Sequence, residues 1–346
     1  MSFAVFLRET FSSPPLLGTV ILILGVIFVN GWTDAPNAIA TCVATRCLPP
    51  RAAVGMAAAC NLLGVLVMTG VTAGVAQTVF GIADFGGDRH KAQIALCAAM
   101  AAIVLWAAAA WRFGIPTSES HALVAGVSGA AVAQACSFGA LNASAWGKVL
   151  WGLLLSAALG FASGFCTAKT IARLFRRVRY ARAQRFFRAG QIFGGAAMAF
   201  MHGAQDGQKF IGIFLLGVSL AGGSADFGSV PVWLMALCAA VMGLGTSLGG
   251  YRIIKSVGMD MVRLQKYEGF SADLAGAFCL MLSTLTGLPV STTHTKTTAV
   301  MGVGAAKRLR SVRWSVARDM ALAWALTFPG CGIVGFAAAK LLLRVF

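Results

Sequence analysis

The chain has 346 residues, of which 58% are apolar and only 11% charged, where soluble domains carry about a quarter charged. Its formal charge is +17, from 28 Lys and Arg against 11 Asp and Glu, and its mean hydropathy is +0.80. These values exclude a soluble enzyme or binding domain, a disordered chain and a secreted disulfide scaffold, and they leave a polytopic α-helical membrane protein.

The first apolar run, from Leu16 to Val29, lacks a basic flank and a small-residue cleavage site, so it reads as a membrane helix and not as a removable signal. Further apolar runs of about 20 residues follow to the end of the chain, without the period-2 segments of a barrel. Basic residues gather between them: Arg46 and Arg51; seven Arg in 173–188; Arg252, Lys255, Arg263 and Lys266 among 252–268; and Lys307 to Arg318. These segments read as cytoplasmic loops facing anionic lipid, and no nucleic-acid partner is expected. The stretches 81–89, with Asp84 and Asp88, and 222–230, with Asp226, are placed outside.

The predicted passes then run in order. Residues 14–45 go inward and 52–80 outward. Residues 92–139 leave the outside and return to it, as two passes or a re-entrant hairpin. Residues 147–170 go inward. The second half, 189–221, 231–251, 269–304 and 319–344, repeats the series with every direction reversed, which places both termini outside. The nine cysteines lie mostly within these runs with no CxxC pair, so they read as small buried apolar residues, without a disulfide frame or a metal site.

Two motifs each occur twice. The turn Asn30-Gly31-Trp32-Thr33-Asp34-Ala35-Pro36-Asn37 returns as His202-Gly203-Ala204-Gln205-Asp206-Gly207-Gln208-Lys209. The hairpin Pro116-Thr117-Ser118-Glu119-Ser120-His121 returns as Pro289-Val290-Ser291-Thr292-Thr293-His294. Both offsets are close to half the chain length. The expected organisation is therefore a first repeat over 1–172, a basic cytoplasmic linker over 173–188 and a second repeat, inverted in the membrane, over 189–346, all-α with broken helices and re-entrant hairpins. Inverted repeats place a substrate site near the bilayer midplane, the arrangement of secondary transporters.

Asp34 stands in an apolar run beside Pro36, which removes a helix hydrogen bond and frees carbonyls that need a protein-lined cavity. A carboxylate in mid-membrane costs about 2.5–3.5 kcal/mol, and Asp206 repeats it. A structural pair with Arg or Lys is the alternative to a site. Each hairpin restarts a helix at a proline, with Ser118, Ser120, Ser291, Thr292 and Thr293 adding hydroxyls to free N–H groups, a setting that binds an anion or merely caps a helix. His121 and His294 read as supports of the break. Lys296 could bring a second cation near the site. Glu119 and Lys209 break the symmetry of the repeats, and their mutual pairing is the expectation. Asn61 is expected to bond between helices, and Asp273 to cap a helix start.

Together the four motifs resemble those of the inorganic phosphate transporter family, PiT, over essentially the whole chain. The resemblance implies a transporter and not an enzyme, moving inorganic phosphate through the inner (plasma) membrane with a proton or sodium. It places Asp34, Asn37, Ser118, Ser120, Asp206, Ser291, Thr292 and Thr293 at the phosphate and cation sites. Lys209, where the sodium-coupled pattern has Asn, resembles the bacterial proton-coupled branch. Glu119, Lys209, Asp34 and Asp206 are accordingly expected to carry proton coupling. Sulfate, another tetrahedral oxyanion, and sodium coupling are the alternatives. An intramembrane hydrolase is disfavoured, because the G-x-S-x-G match Gly245-Thr246-Ser247-Leu248-Gly249 lies inside an apolar run and not on a strand-to-helix elbow, and no ATP-binding loop occurs. No metal or other cofactor is expected beyond the coupling cation. Phosphate and the bilayer are the expected partners, and the sequence leaves a homodimer open.

Overall fold

The computed structural model describes residues 2–113, 117–222, 227–228, 230–248, 254 and 261–346. Pro116, Asp226, Arg252, Lys255 and Asp260, which carried parts of the topology and hairpin readings, lie outside the described residues. Among the described residues the chain is helical without a strand; a single isolated bridge joins Ala83 and Leu141.

The helices follow the breaks written into the sequence. After α1 (Phe3–Ser12), α2 (Pro14–Thr33) starts on a proline and ends at Asp34. Pro36 then opens α3 (Pro36–Ala44), because a residue without an N–H suits a first helical turn and not a helix interior. Pro50 opens α4 (Pro50–Val71), and α5 (Gly74–Phe80) follows after Thr72 and Ala73. The segment expected to leave the outside and return is a long helix and a shorter one, α6 (Arg89–Phe113) and α7 (Glu119–Ala135). Next come α8 (Ala143–Leu174), α9 (Tyr180–Leu220) and α10 (Val232–Leu248). The second hairpin is α11 (Lys266–Leu285) with α12 (Thr292–Lys307), and α13 (Trp314–Val345) ends the chain. Among the described residues, five segments are long and apolar enough to cross a bilayer: Pro14–Ala44, Pro50–Val71, Arg89–Phe113, Ala143–Leu174 and Trp314–Val345.

Three expectations are corrected here. The stretch 173–188 is a loop only over 175–179: α8 runs to Leu174 and α9 begins at Tyr180, since Arg is a good helix former and extends both ends. The second turn motif does not break its helix, because Gln208 stands where the first half has Pro36, and α9 continues for 41 residues through Asp206. Asp273 is no cap. Glu268 does that work, accepting the Gln265 N–H at 2.7 Å, and Asp273 lies two turns into α11.

Helix pairing is reciprocal between the halves. The first half's α2 packs on α10 while α4 packs on α9; α7 packs on α13 while α8 packs on α12; α6 packs on α13 while α11 packs on α8. The glycine of each turn motif permits two of these contacts. A methyl group on Gly31 would overlap the Met242 carbonyl, and one on Gly203 the Asn61 backbone. The apolar core runs from α2 through α6 and α7 to α9 and α10, around Ile23, Ile27, Leu96, Met100, Ile103 and Phe214.

Candidate functional site

Five chain segments converge on one buried polar centre. The end of α2 brings Asn30 and Asp34, and the start of α3 brings Asn37. The middle of α9 brings His202, Asp206 and Lys209. The starts of α7 and α12 bring Ser118 to Ser120 and Ser291 to Thr293. All of these side chains are buried.

The two restarting helices are capped alike. Ser118 Oγ accepts the His121 N–H at 3.4 Å, and Ser291 Oγ accepts the His294 N–H at 3.2 Å. The hydroxyls also meet each other, Ser118 Oγ to Ser291 Oγ at 2.8 Å. Their positive dipole ends therefore share one small region, with N–H groups of residues 119, 120, 292 and 293 at hand.

Asp34 and Asp206 face that region. Asp34 Oδ1 accepts from Asn37 Nδ2 at 2.8 Å and from Thr293 Oγ1. The Thr292 hydroxyl lies between the two carboxylates, 3.4 Å from Asp34 Oδ2 and 3.3 Å from Asp206 Oδ2. Asn30 Nδ2 donates to Asp206 Oδ2 at 3.2 Å. His202 Nε2 sits 3.4 Å from the same oxygen, and its Nδ1 lies 3.3 Å from Asn61 Oδ1, the interhelical bond expected of Asn61. Asn30 and His202 occupy the same position in the two turn motifs, yet both converge on Asp206.

Lys209 corrects the expected pairing. Its ammonium donates to Asp206 Oδ1 at 2.6 Å, Ser120 Oγ at 2.5 Å and the Val290 carbonyl at 2.6 Å, which uses all three protons. Asp206 and Lys209 are three residues apart on one continuous helix, so they are neighbours by geometry. Glu119 is left with Thr33 Oγ1 at 2.9 Å on one oxygen, and its Oε2 has no hydrogen-bond partner among the described residues. A buried, ionised carboxylate held by one hydroxyl is costly.

The remaining sequence candidates fall around this centre. His121 and His294 lie edge to face, ring centroids 4.4 Å apart. Phe328 stacks on His121 at 4.4 Å and Trp324 covers His294 at 3.6 Å, so both imidazoles brace the hairpins against α13. Lys296 turns away from the anion-facing groups, and its ammonium goes to Asp273 and, at 3.1 Å, to Thr41. Sequence reasoning missed Asn30, His202, Thr33 and Gln205. Gln205 bonds the Leu288 carbonyl and the Thr284 hydroxyl, each at 2.8 Å, and so holds the second hairpin's tip. Equal positions in the repeated turn were the available signal for Asn30 and His202.

The donor set also suits a cation. One atom each of Asp34, His202 and Asp206 lies within 4.8 Å of the others. The amide oxygens of Asn30 and Asn37 are buried without a hydrogen-bond partner among the described residues.

Paired carboxylates and opposed helix starts, buried between membrane-length helices, are the arrangement of a multi-pass membrane transporter. Comparison with known proteins places it more closely. The sequence profile of the phosphate transporter family matches residues 30–184 and 176–335. The chain is 36% identical to a "Probable low-affinity inorganic phosphate transporter" of Bacillus subtilis over 327 residues, covering 94% of this chain and 97% of that one. It is 36% identical to a protein of the same name from Rhizobium meliloti, covering 94% and 96%. A solved structure titled "The sodium-dependent phosphate transporter" shares the fold, with a TM-score of 0.86, 22% identity and coverage of 96% of this chain and 100% of that one. The chain belongs to the phosphate transporter family.

Proposed function

We propose that this protein imports inorganic phosphate across the cell membrane by proton symport. The observation that carries the reading is the meeting of two capped helix starts, Ser118 with Ser291, over Asp34 and Asp206. Helix N-termini and hydroxyls supply donors to phosphate oxygens. The carboxylates accept from the P–OH groups that phosphate keeps at neutral pH and sulfate lacks, which favours phosphate. Thr292 and Thr293 donate to Asp34 and Asp206 in this state, and an arriving phosphate would take those donors over. The names of the Bacillus and Rhizobium relatives support the same substrate.

Charge requires a co-substrate. Asp34, Asp206 and Glu119 are three buried carboxylates against the single ammonium of Lys209. An anion added to this excess of negative charge needs positive charge to enter with it. Lys209 already neutralises Asp206 at 2.6 Å and takes the place of one bound cation. Glu119, with one donor and one unpartnered oxygen, is the group best suited to hold a proton. Two related halves with opposite orientation are supported by the reciprocal packing of α7 on α13 and α8 on α12. In this reading the basic segments face the cytoplasm and both termini face outward.

A second reading, sodium symport, is favoured by one observation: the orphan amide oxygens of Asn30 and Asn37 beside Asp34 and Asp206 are the hard oxygen donors that small cations take. Labelled phosphate uptake into proteoliposomes, with sodium and pH gradients imposed separately, tests both. Proton symport gives uptake with an acidic exterior in sodium-free buffer.

A further inference from the structure

We propose that the buried Lys296–Asp273 ion pair is a latch that closes the central site toward the basic face of the protein. The inference rests on the phosphate-transport reading for its uptake arm alone. Four helices meet at this pair. Lys296 on α12 and Gln191 on α9 both donate to Asp273 on α11, Gln191 at 2.5 Å, and Thr41 on α3 donates to both Asp273 oxygens at 2.8 Å. Lys296 and Asp273 are fully buried, with 0% exposure each.

Position gives the cluster its meaning. Along α3, Asn37 touches Asp34, and Thr41 comes one turn later. Along α12, Thr293 touches Asp34, and Lys296 comes one turn later. From there α3 ends at Ala44, just before Arg46, and α12 at Lys307, just before Arg308, while α9 and α11 come up from Arg179 and Lys266. The ion pair is thus the layer between the central carboxylates and the arginine-rich end.

The corresponding layer on the other side has different chemistry. Shifted by half the chain, Lys296, Asp273 and Thr41 become Leu123, Met100 and Ile213, which are buried in one apolar cluster. Packing alone therefore does not require charge in such a layer, and buried ion pairs are commonly replaceable by apolar residues without loss of stability. A charged closure differs in what opening does. When the helices part, water hydrates Lys296 and Asp273, whereas a parted apolar layer gains nothing from water. The pair therefore closes the site when dry and lowers the barrier to opening on the basic side, where an imported anion leaves.

The test uses the full-length protein in two variants. In Lys296→Met with Asp273→Leu the latch becomes apolar. The expected result is unchanged equilibrium binding of labelled phosphate in detergent, slower hydrogen exchange over residues 36–48, and uptake into proteoliposomes lowered on the order of tenfold. In Asp273→Asn the latch is weakened, and exchange over 36–48 is expected to quicken. Unchanged exchange in both variants would overturn the proposal, as would loss of phosphate binding in the double variant, which would place Lys296 in the binding site itself. A wild-type protein that binds no phosphate would count against the transport reading alone, and the exchange measurements would still decide the latch.

Discussion

Ser118 and Ser291 are 173 residues apart, and their hydroxyls bond at 2.8 Å while each caps its own helix. The contact fixes the starts of α7 and α12 against one another, so the donors of both hairpins are presented to one point. Movement of either hairpin is felt by the other through this bond.

Removal of these caps is expected to be additive only in part. Ser118→Ala or Ser291→Ala alone should lower stability by about 1 kcal/mol. The double variant should lose less than the sum, because the shared bond is counted twice in the single variants. Thermal unfolding in detergent of the two single variants and the double checks this.

Asp34→Asn and Asp206→Asn should both abolish phosphate uptake, but they should differ in stability. Asp206→Asn leaves the Lys209 ammonium without its carboxylate and should cost about 3–5 kcal/mol. Among the described residues Asp34 has only neutral hydrogen-bond partners, Asn37, Thr292 and Thr293, so Asp34→Asn should cost about 1–3 kcal/mol. Unfolding midpoints and uptake measured on the same preparations separate the two effects.

Glu119→Gln should keep the Thr33 bond and the fold, bind phosphate, and lose uptake driven by a pH gradient. Because Lys209 is satisfied by Asp206, Ser120 and Val290, adding Lys209→Gln should not restore anything. Recovery of stability or transport in that double variant would show that the two residues pair during the cycle.

Gly203→Ala should destabilise the protein by about 1–3 kcal/mol through overlap with the Asn61 backbone. Gly31→Ala should do the same against Met242. In contrast, Gly55→Ala, whose added methyl meets nothing, should not destabilise; exposed in mid-helix, it gains up to about 1 kcal/mol of helix propensity. Expression level and unfolding midpoint give the comparison.

Much of the fold was legible in the sequence because bilayer crossings need long apolar runs and prolines mark helix starts. Pro14, Pro36 and Pro50 each open a helix, whereas the second hairpin, expected to restart its helix at Pro289, starts it at Thr292 because Ser291 is the residue that caps it. The site centre was legible because Asp34 and Asp206 are expensive in a membrane and recur. Partner choice was not. Glu119 and Lys209 looked like natural partners as two lone charges, but Lys209 reaches Asp206 within its own helix. Lys296 and Asp273 meet only because α11 and α12 fold back on each other, a contact that no local pattern encodes. The unbroken α9 was legible in hindsight from Gln208 in place of proline.

The most direct measurement is initial-rate phosphate uptake into sodium-free proteoliposomes as external pH is lowered against a fixed internal pH. The account predicts uptake that rises with the inward proton gradient, collapses when a protonophore dissipates it, and is absent in Glu119→Gln. Uptake that ignores the pH gradient and appears only with an inward sodium gradient would contradict it.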